Sequence, residues 1–206
     1  LAVSGTVNDL AVSGAVPKYI TCGMIIEAGF PIDELKKITR SMAVTAEEAG
    51  VLIVAGDTKV VEADACDGIF INTAGVGLIN SAPPSGKVLP GDVIISSGYL
   101  GSHGLAILAA REKMEFTPAL QSDVRPMGKA VKAVREAGVA VHTMRDPTRG
   151  GAAATLNEWA QGGIDIRIDE VNIPVRDDVK AVSELLGMDY LYAANEGVVL
   201  FSVEAG

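Results

Sequence analysis

Three aspartates sit where a carboxylate could hold a divalent cation. Asp9 lies in Gly5-Thr6-Val7-Asn8-Asp9. Asp57 lies in Gly56-Asp57-Thr58-Lys59, directly after the apolar run 51–55. Asp146 lies in Arg145-Asp146-Pro147-Thr148-Arg149-Gly150-Gly151, directly after the run 139–144. A carboxylate at the carboxyl end of a strand points into the crevice where ligands of mixed sheets bind, and neighbouring glycines let a ligand approach the backbone. Mg2+ takes one or two carboxylates, with water and substrate phosphate completing its octahedron. Two or three of these groups could therefore share a Mg–ATP. The plainer reading is a set of turn aspartates, because Asp before Thr or Pro commonly caps a turn.

Other residues could serve the same ligand. Lys59 is a candidate phosphate contact or a solvated strand-end lysine. Arg149, Gly150 and Gly151 precede the Ala-rich stretch 152–160, where a helix N-terminus would present free N–H groups and a positive dipole end to a nucleotide phosphate. Glu196, in Asn195-Glu196-Gly197, could act as a general base, bind metal, or simply occupy a turn. His103, in Gly101-Ser102-His103-Gly104, reads first as a helix-start residue. The sequence carries no GxxxxGK[ST], no GxGxxG after a strand and no GxSxG elbow, so a nucleotide would be held by another device.

The elements that would position these residues follow from periodicity. Residues 1–4 read as a strand end and 6–13 as a short helix. Residues 19–27 read as a strand, and 31–49 as a helix with Leu35, Ile38, Met42 and Ala46 at helical spacing. Residues 51–55 read as a buried strand and 69–73 as another. The run 81–91 holds Pro83, Pro84, Gly86, Pro90 and Gly91 and marks a domain boundary. Beyond it, strands are expected at 93–96, 139–144, 164–168 and 198–203. Helices are expected at 103–112, 126–137, 151–160 and 175–186. Strands and helices mixed in two halves give an α+β or α/β class.

Composition narrows the function. The 206 residues are 49% hydrophobic and 21% charged, which describes folded chains with real cores. The net charge of −9 and the absence of a dense Lys/Arg run exclude an ordinary nucleic-acid binder. No apolar run approaches the roughly 20 residues that span a bilayer. Cys22 and Cys66 form no CxxC or Cys/His cluster, which leaves no structural zinc site and suits a reducing cytoplasm. The chain opens on Leu and stops within a strand pattern, so a fragment cut at both ends is expected.

Taken in order, the segments 5–15, 56–61, 71–77 (Ile-Asn-Thr-Ala-Gly-Val-Gly), 144–151 and 194–197 (Ala-Asn-Glu-Gly) resemble the successive motifs of the HypE family of hydrogenase maturation factors, across the whole chain. That family is similar in fold to aminoimidazole ribonucleotide synthetase, selenophosphate synthetase and thiamine-monophosphate kinase. The resemblance implies an α+β, two-domain PurM-like fold. Residues 1–82 would form an ATP-binding and dimerisation domain and residues 83–206 an α/β domain, with ATP between them and a homodimer formed through the N-terminal domains. It implies ATP-dependent dehydration of a carbamoyl group, placed on a C-terminal cysteine by HypF, to a thiocyanate whose cyanide passes to a HypC–HypD complex. Asp9 and Asp57 would bind Mg2+, and Asp146 metal or nucleotide. Asn8, Thr58 and Lys59 would hold phosphate or nucleotide. Glu196, with Asp9 assisting, would be the acid–base group.

Departures from the family pattern are the missing glycine-rich N-terminal segment, the missing Pro-Arg-Ile-Cys tail, Val198 in place of a basic residue, and Ser102 in place of Asp. Without the tail, this chain alone should not turn over. The alternatives are another ATP-using enzyme of the superfamily, of the selenophosphate synthetase or thiamine-phosphate kinase type, and a non-catalytic scaffold for maturation partners.

Overall fold

The computed structural model describes residues 1–117, 119–161 and 163–205. They form two compact units: Leu1–Ala82 with Pro126–Lys129, and Pro83–Arg125 with Ala130–Gly206.

Unit 1 begins with a helix, α1 (Ala2–Val12), where a strand end was expected at 1–4. Val3, Val7 and Ala11 recur at helical spacing and are all buried, which makes the stripe that a helix needs. Tertiary contacts decide the outcome for so short a segment. The Thr6 hydroxyl lies 2.7 Å from the Thr73 hydroxyl, and Thr73 Oγ1 donates to the Ala2 carbonyl at 2.8 Å. Gly75 permits this approach, since a β-carbon there would meet Leu10 and Thr6 at 2.9 Å.

Strand β1 (Val16–Glu27) is followed by α2 (Ile32–Ala49), β2 (Leu52–Val61) and β3 (Ile69–Leu78). The sheet order is β2-β1-β3, with β1 parallel to β2 and antiparallel to β3. A parallel pair needs a crossover, and α2 supplies it. Asp33 and Glu34 in its first turn complement the helix dipole. The helices cover one face of the sheet, where Val3, Val7, Ile20, Cys22, Met42, Ala46 and Val51 pack together. Each of the Val, Ile and Met side chains among them contributes about 1.5–3 kcal/mol by leaving water.

The opposite sheet face is open. Tyr19, Ile25, Phe70 and Val76 are 42–61% exposed, and Tyr19, Val54 and Val76 line a shallow apolar hollow. The expectation of a buried strand at 51–55 fails for the same reason. β2 is an edge strand with one uncovered face, so Leu52, Ile53 and Val54 are exposed and only Val51 is buried.

In unit 2, β4 (Val93–Ser96), β6 (Leu200–Val203) and β5 (Val141–Arg145) form an antiparallel sheet in the order β4-β6-β5. Central β6 is buried along its whole length. Asp92 fastens the three strands together: its carboxylate accepts from His142 Nδ1 at 2.9 Å, Ser202 Oγ at 2.5 Å and the Leu89 amide at 2.9 Å. Burial alone would raise the pKa of Asp92, but these hydrogen bonds and the His142 charge outweigh it and hold the carboxyl below its ordinary value.

Helices α3 (Ser102–Arg111), α4 (Gly128–Glu136), α5 (Gly151–Ala160) and α6 (Asp177–Leu186) complete the regular structure with two 3-10 turns, Glu170–Asn172 and Tyr190–Tyr192. Residues 164–168, expected as a strand, join neither sheet. Ile164, Ile166 and Ile168 instead line a cavity of about 910 Å3 beside β4. None of the candidate site residues lines that cavity. Among the described residues no helix is long and apolar enough to cross a membrane.

Candidate active site

The most completely built feature is the turn Asn195-Glu196-Gly197 of unit 2. Asn195 is fully buried. Its Oδ1 accepts the Gly101 amide at 2.8 Å, its Nδ2 donates to the carbonyls of Pro147 and Ala193 at 3.3 and 3.2 Å, and its own amide donates to Pro147 at 3.0 Å. One buried carboxamide therefore joins three segments: the turn itself, the Asp146-Pro147 loop after β5, and the start of α3. A buried amide satisfied by donors and acceptors of separate segments fixes their relative geometry.

Glu196 is half-buried on this support, and its backbone amide donates to Asp123 Oδ1 at 3.1 Å. Gly197 has no room for a side chain: a β-carbon would stand 1.8 Å from the Asp123 carbonyl oxygen and 2.8 Å from Arg125 Cγ. The Arg125 Nε donates to the Gly197 carbonyl at 3.0 Å. Asp123 Oδ2 is sealed from solvent and has no hydrogen-bond partner among the described residues. Nearby, His103 Nδ1 and Ser122 Oγ are 2.8 Å apart. Burial lowers the His103 pKa, against an upward pull from the Asp123 charge.

Asp146 directly follows β5, as expected, and is buried. Its carbonyl accepts the Thr148 amide at 3.0 Å, which turns the chain toward α5. Gly150 and Arg149 are exposed at the start of that helix. Gly151, the third candidate anion contact, is closely packed at the start of the helix. Its amide already donates to the Thr148 carbonyl at 3.0 Å, and its α-carbon lies so close to the chain at 191–193 that a β-carbon would meet the Leu191 and Ala193 carbonyl oxygens at 2.3 and 2.6 Å. It is a packing glycine.

In unit 1 the residues are displayed rather than braced. Asp57 lies within β2 and not after it, because the strand runs on to Val61. The register pairs Asp57 with Gly23, and Gly23 with Asn72, and pairs Lys59 with Ile25. Alternation along the strand then puts Asp57 and Lys59 on the open sheet face and Thr58, opposite Met24, on the helix-covered face. Asp57, Thr58 and Lys59 are exposed, and the Asp57 carboxylate accepts the Thr58 amide at 2.9 Å.

Asp9 is exposed on α1, which packs on β1, β3 and α2. Asp9 and Asp57 therefore belong to opposite sides of the sheet, and unit 1 does not by itself bring them together. Among the described residues no group of three or more His, Cys, Asp or Glu is gathered to hold a metal. Asn8, anticipated as a phosphate contact, is buried, and its Oδ1 accepts the Met127 amide at 2.7 Å. Its visible work is to tie 126–129 to α1.

The comparisons with known proteins agree with these motifs. Residues 1–79 match the N-terminal domain of AIR synthase related proteins, and residues 90–206 match the C-terminal domain. The carbamoyl dehydratase HypE of Rhizobium leguminosarum bv. viciae is 48% identical over 201 residues, covering 96% of this chain and 57% of that relative. The crystal structure of a HypE–HypF complex superposes with a TM-score of 0.95 at 46% identity, covering 98% of this chain and 68% of that one. The chain belongs to the AIR synthase related family, on its HypE branch.

HypE crystallised with ATP matches equally well, with a TM-score of 0.95 at 45% identity over 98% of this chain and 62% of that one. Thiamine monophosphate kinase of Aquifex aeolicus, at a TM-score of 0.77 and 19% identity over 96% of this chain and 68% of that one, shares the two-domain PurM-like α+β fold. The chain spans just over half the length of the curated relative it matches.

Three residues that matter to the HypE-branch turn escaped the sequence reading. Asn195 was visible only as the neighbour of Glu196, although a lone carboxamide after two alanines and before an apolar strand is a signal for a buried hub. Asp123 and Arg125 lie in a stretch without periodicity that offered no signal. Val198 packs with Leu100, Ala152 and Leu200 in a core cluster, so position 198 supplies no charge.

Proposed function

We propose that this chain is the ATP-using body of a HypE-type carbamoyl dehydratase, with residues 1–82 acting as its ATP-binding and dimerisation domain and residues 83–206 as its second domain. The observation that carries the reading is the Asn195 hub, which binds the Asp146 loop and the Glu196 turn into one rigid piece.

In the reaction, the oxygen of a cysteine-bound carbamoyl group attacks the γ-phosphorus of ATP. The bond to the ADP oxygen breaks, and the nitrogen gives up one proton as the C=N bond forms. The C–O bond then breaks, phosphate leaves with its electron pair, and the second N–H proton departs as the nitrile forms. Phosphorylation converts a poor leaving oxygen into a good one, and a base must take each proton. Glu196, held by its backbone to Asp123, is suited to that task.

The donor set fits magnesium: carboxylate oxygens are its preferred protein ligands, one or two suffice, and bound Mg2+ neutralises charge in phosphoryl transfer. Asp57 presents an exposed carboxylate, with Lys59 on the same face for phosphate, while Asp9 and Asp146 are the further ligand candidates. Arg149 and Gly150 present an anion site at the start of α5. Arg125 places a guanidinium beside the turn where Val198 provides none.

The open face of the unit 1 sheet supports a homodimer. Tyr19, Ile25, Phe70 and Val76 expose large apolar side chains on that face, as interaction surfaces do, and Asp57 shares the face. HypF, as donor of the carbamoyl group, and a HypC–HypD complex, as acceptor of the cyanide, are the partners this reading requires. Two unpaired thiols, Cys22 and Cys66, suit the cytoplasm.

The test uses full-length protein loaded with a carbamoyl group on its carrier cysteine. Mg–ATP should cause the intact mass to fall by one water, and an unchanged mass with ATP consumed would reject the assignment. A scaffold without catalysis is the second reading, favoured by the apolar, buried Val198. It requires that saturating Mg–ATP leave the melting temperature unmoved, whereas a ligand at 100 times its Kd adds about 2.7 kcal/mol.

A further inference from the structure

The first turn of α3 is docked on the segment that leads into Glu196. The Gly101 amide donates to Asn195 Oδ1 at 2.8 Å, and the Gly104 amide donates to the Ala194 carbonyl at 2.9 Å. A β-carbon on Gly104 would stand 2.7 Å from the Ala194 nitrogen, so the two segments meet backbone to backbone. His103 lies between these two anchor points and is half-buried. Its Nδ1 is 2.8 Å from Ser122 Oγ, which also accepts the Val124 amide at 3.1 Å. The next residue is Asp123, whose Oδ1 accepts the Glu196 amide at 3.1 Å. Three acid–base residues from three segments, His103, Asp123 and Glu196, thus share one corner of unit 2.

Burial lowers the His103 pKa, so the ring is neutral at pH 7 and able to take a proton. Asp123 supplies the counter-charge for the imidazolium that would result. Its charge already acts on the ring, and its Oδ2 is sealed from solvent without a hydrogen-bond partner among the described residues. A carboxylate oxygen left unmatched in the resting protein is compensated when a cation forms nearby. Ser122 Oγ has two lone pairs. With one taken by the Val124 amide, the other can accept Nδ1–H, which leaves the Nε2 lone pair of His103 as the base.

We infer that His103 is the second base of the dehydration, taking at Nε2 the last N–H proton of the carbamoyl-derived group. The inference rests on the reaction proposed above, in which two protons leave one nitrogen in succession, and it deepens that reading. Glu196 takes the first proton as the phosphate ester forms. In the second step the N–H electron pair becomes the third C–N bond, the proton passes to Nε2, and the C–O pair leaves with phosphate. A carboxyl group that has just gained a proton cannot take another until it gives the first one up. A neutral imidazole in the same corner removes that delay.

The experiment follows a single turnover of full-length protein carrying the carbamoyl group, with Mg–ATP, and measures ADP and nitrile separately. His103→Asn keeps an amide donor for Ser122 and lacks Nε2. It should form ADP within about twofold of the wild-type rate and nitrile at least about a hundredfold more slowly. In His103→Ala, added imidazole should speed nitrile formation at least about tenfold, a rescue that a histidine retained only for packing would not show. Wild-type nitrile formation in His103→Asn overturns the assignment, as does a variant in which ADP and nitrile slow by the same factor. The wild type separates the two claims. If it consumes ATP without forming nitrile, the proposed reaction fails and this role fails with it. If it forms nitrile and His103→Asn does so equally fast, this role alone fails.

Discussion

The segment 56–59 of unit 1 and the turn 194–197 of unit 2 carry the two most telling motifs of the chain, and they are supported in opposite ways. The first lies on an exposed edge strand, with one hydrogen bond from Thr58 to the Asp57 carboxylate. The second rests on a buried carboxamide with bonds to Gly101, Pro147 and Ala193, and it is walled by Asp123 and Arg125. A group that must stay within a few tenths of an ångström of a reacting atom needs the second kind of support. A group that meets a hydrated metal ion, or a second protein surface, can be presented by the first. The two motifs should therefore respond very differently to substitution.

Gly197→Ala should break unit 2 most severely. Its β-carbon would overlap the Asp123 carbonyl, a backbone atom that cannot rotate away, and the loss should exceed about 3 kcal/mol in urea unfolding. The matching change in unit 1, Gly23→Ala beside Asp57, meets only the Asn72 carbonyl at 3.9 Å. It should stabilise by up to about 0.5–1 kcal/mol, because alanine costs less backbone entropy than glycine within a strand. Equal losses at the two positions would erase the contrast.

Asn195→Ala comes next. It leaves the Gly101 amide and the Ala193 carbonyl without the carboxamide, at a cost of about 2–3 kcal/mol. Hydrogen exchange should show the loss directly, with the Gly101 amide losing protection first. A Gly101 amide as protected as in the wild type would mean that the hub is ornamental.

The same difference in support governs what could be read before folding. The unit 2 strands, and α5 with the Asp146 loop before it, were legible because apolar runs bounded by Gly and Pro are local signals. The mixing of strands and helices was legible for the same reason, whereas the order of the motifs was legible through their resemblance to the HypE family. Burial of β2 was not, since the run 51–55 reports a need for cover and not whether this chain supplies it. The helix at residues 2–5 was hidden because its evidence is the contact between Thr6 and Thr73, far apart in sequence. Residues 164–168 read as a strand from alternating isoleucines, yet no neighbour offers them a ladder. Asp123 and Arg125 act through position alone, which composition cannot encode.

The carboxylate that fastens the unit 2 sheet extends the contrast to pH. The side chain of Asp92 is shielded from solvent and its folded pKa is depressed, so its contribution is fully present above the ordinary carboxylate range and is lost as pH falls through the folded value. Acid titration of unfolding free energy should show unit 2 weakening below about pH 4. Asp92→Asn should cost about 1–2 kcal/mol at neutral pH and flatten that acid limb. An acid limb of unchanged slope in the variant would assign the effect to other carboxylates.

The smallest change in stability is expected at Asp57, and there it is the most informative. Its carboxylate is exposed, its fixed partner is the adjacent amide, and an asparagine carbonyl can accept that same hydrogen bond. Asp57→Asn should therefore move the unfolding free energy by less than about 0.5 kcal/mol. The substitution removes a negative charge that a hard cation would coordinate, so stabilisation by saturating Mg–ATP should shrink toward zero in thermal melts. A residue retained only to cap or brace its strand would show the reverse: a measurable loss of intrinsic stability, with the nucleotide-dependent gain intact. That outcome would turn the displayed strand of unit 1 into a structural element and leave the braced turn of unit 2 as the sole candidate for chemistry.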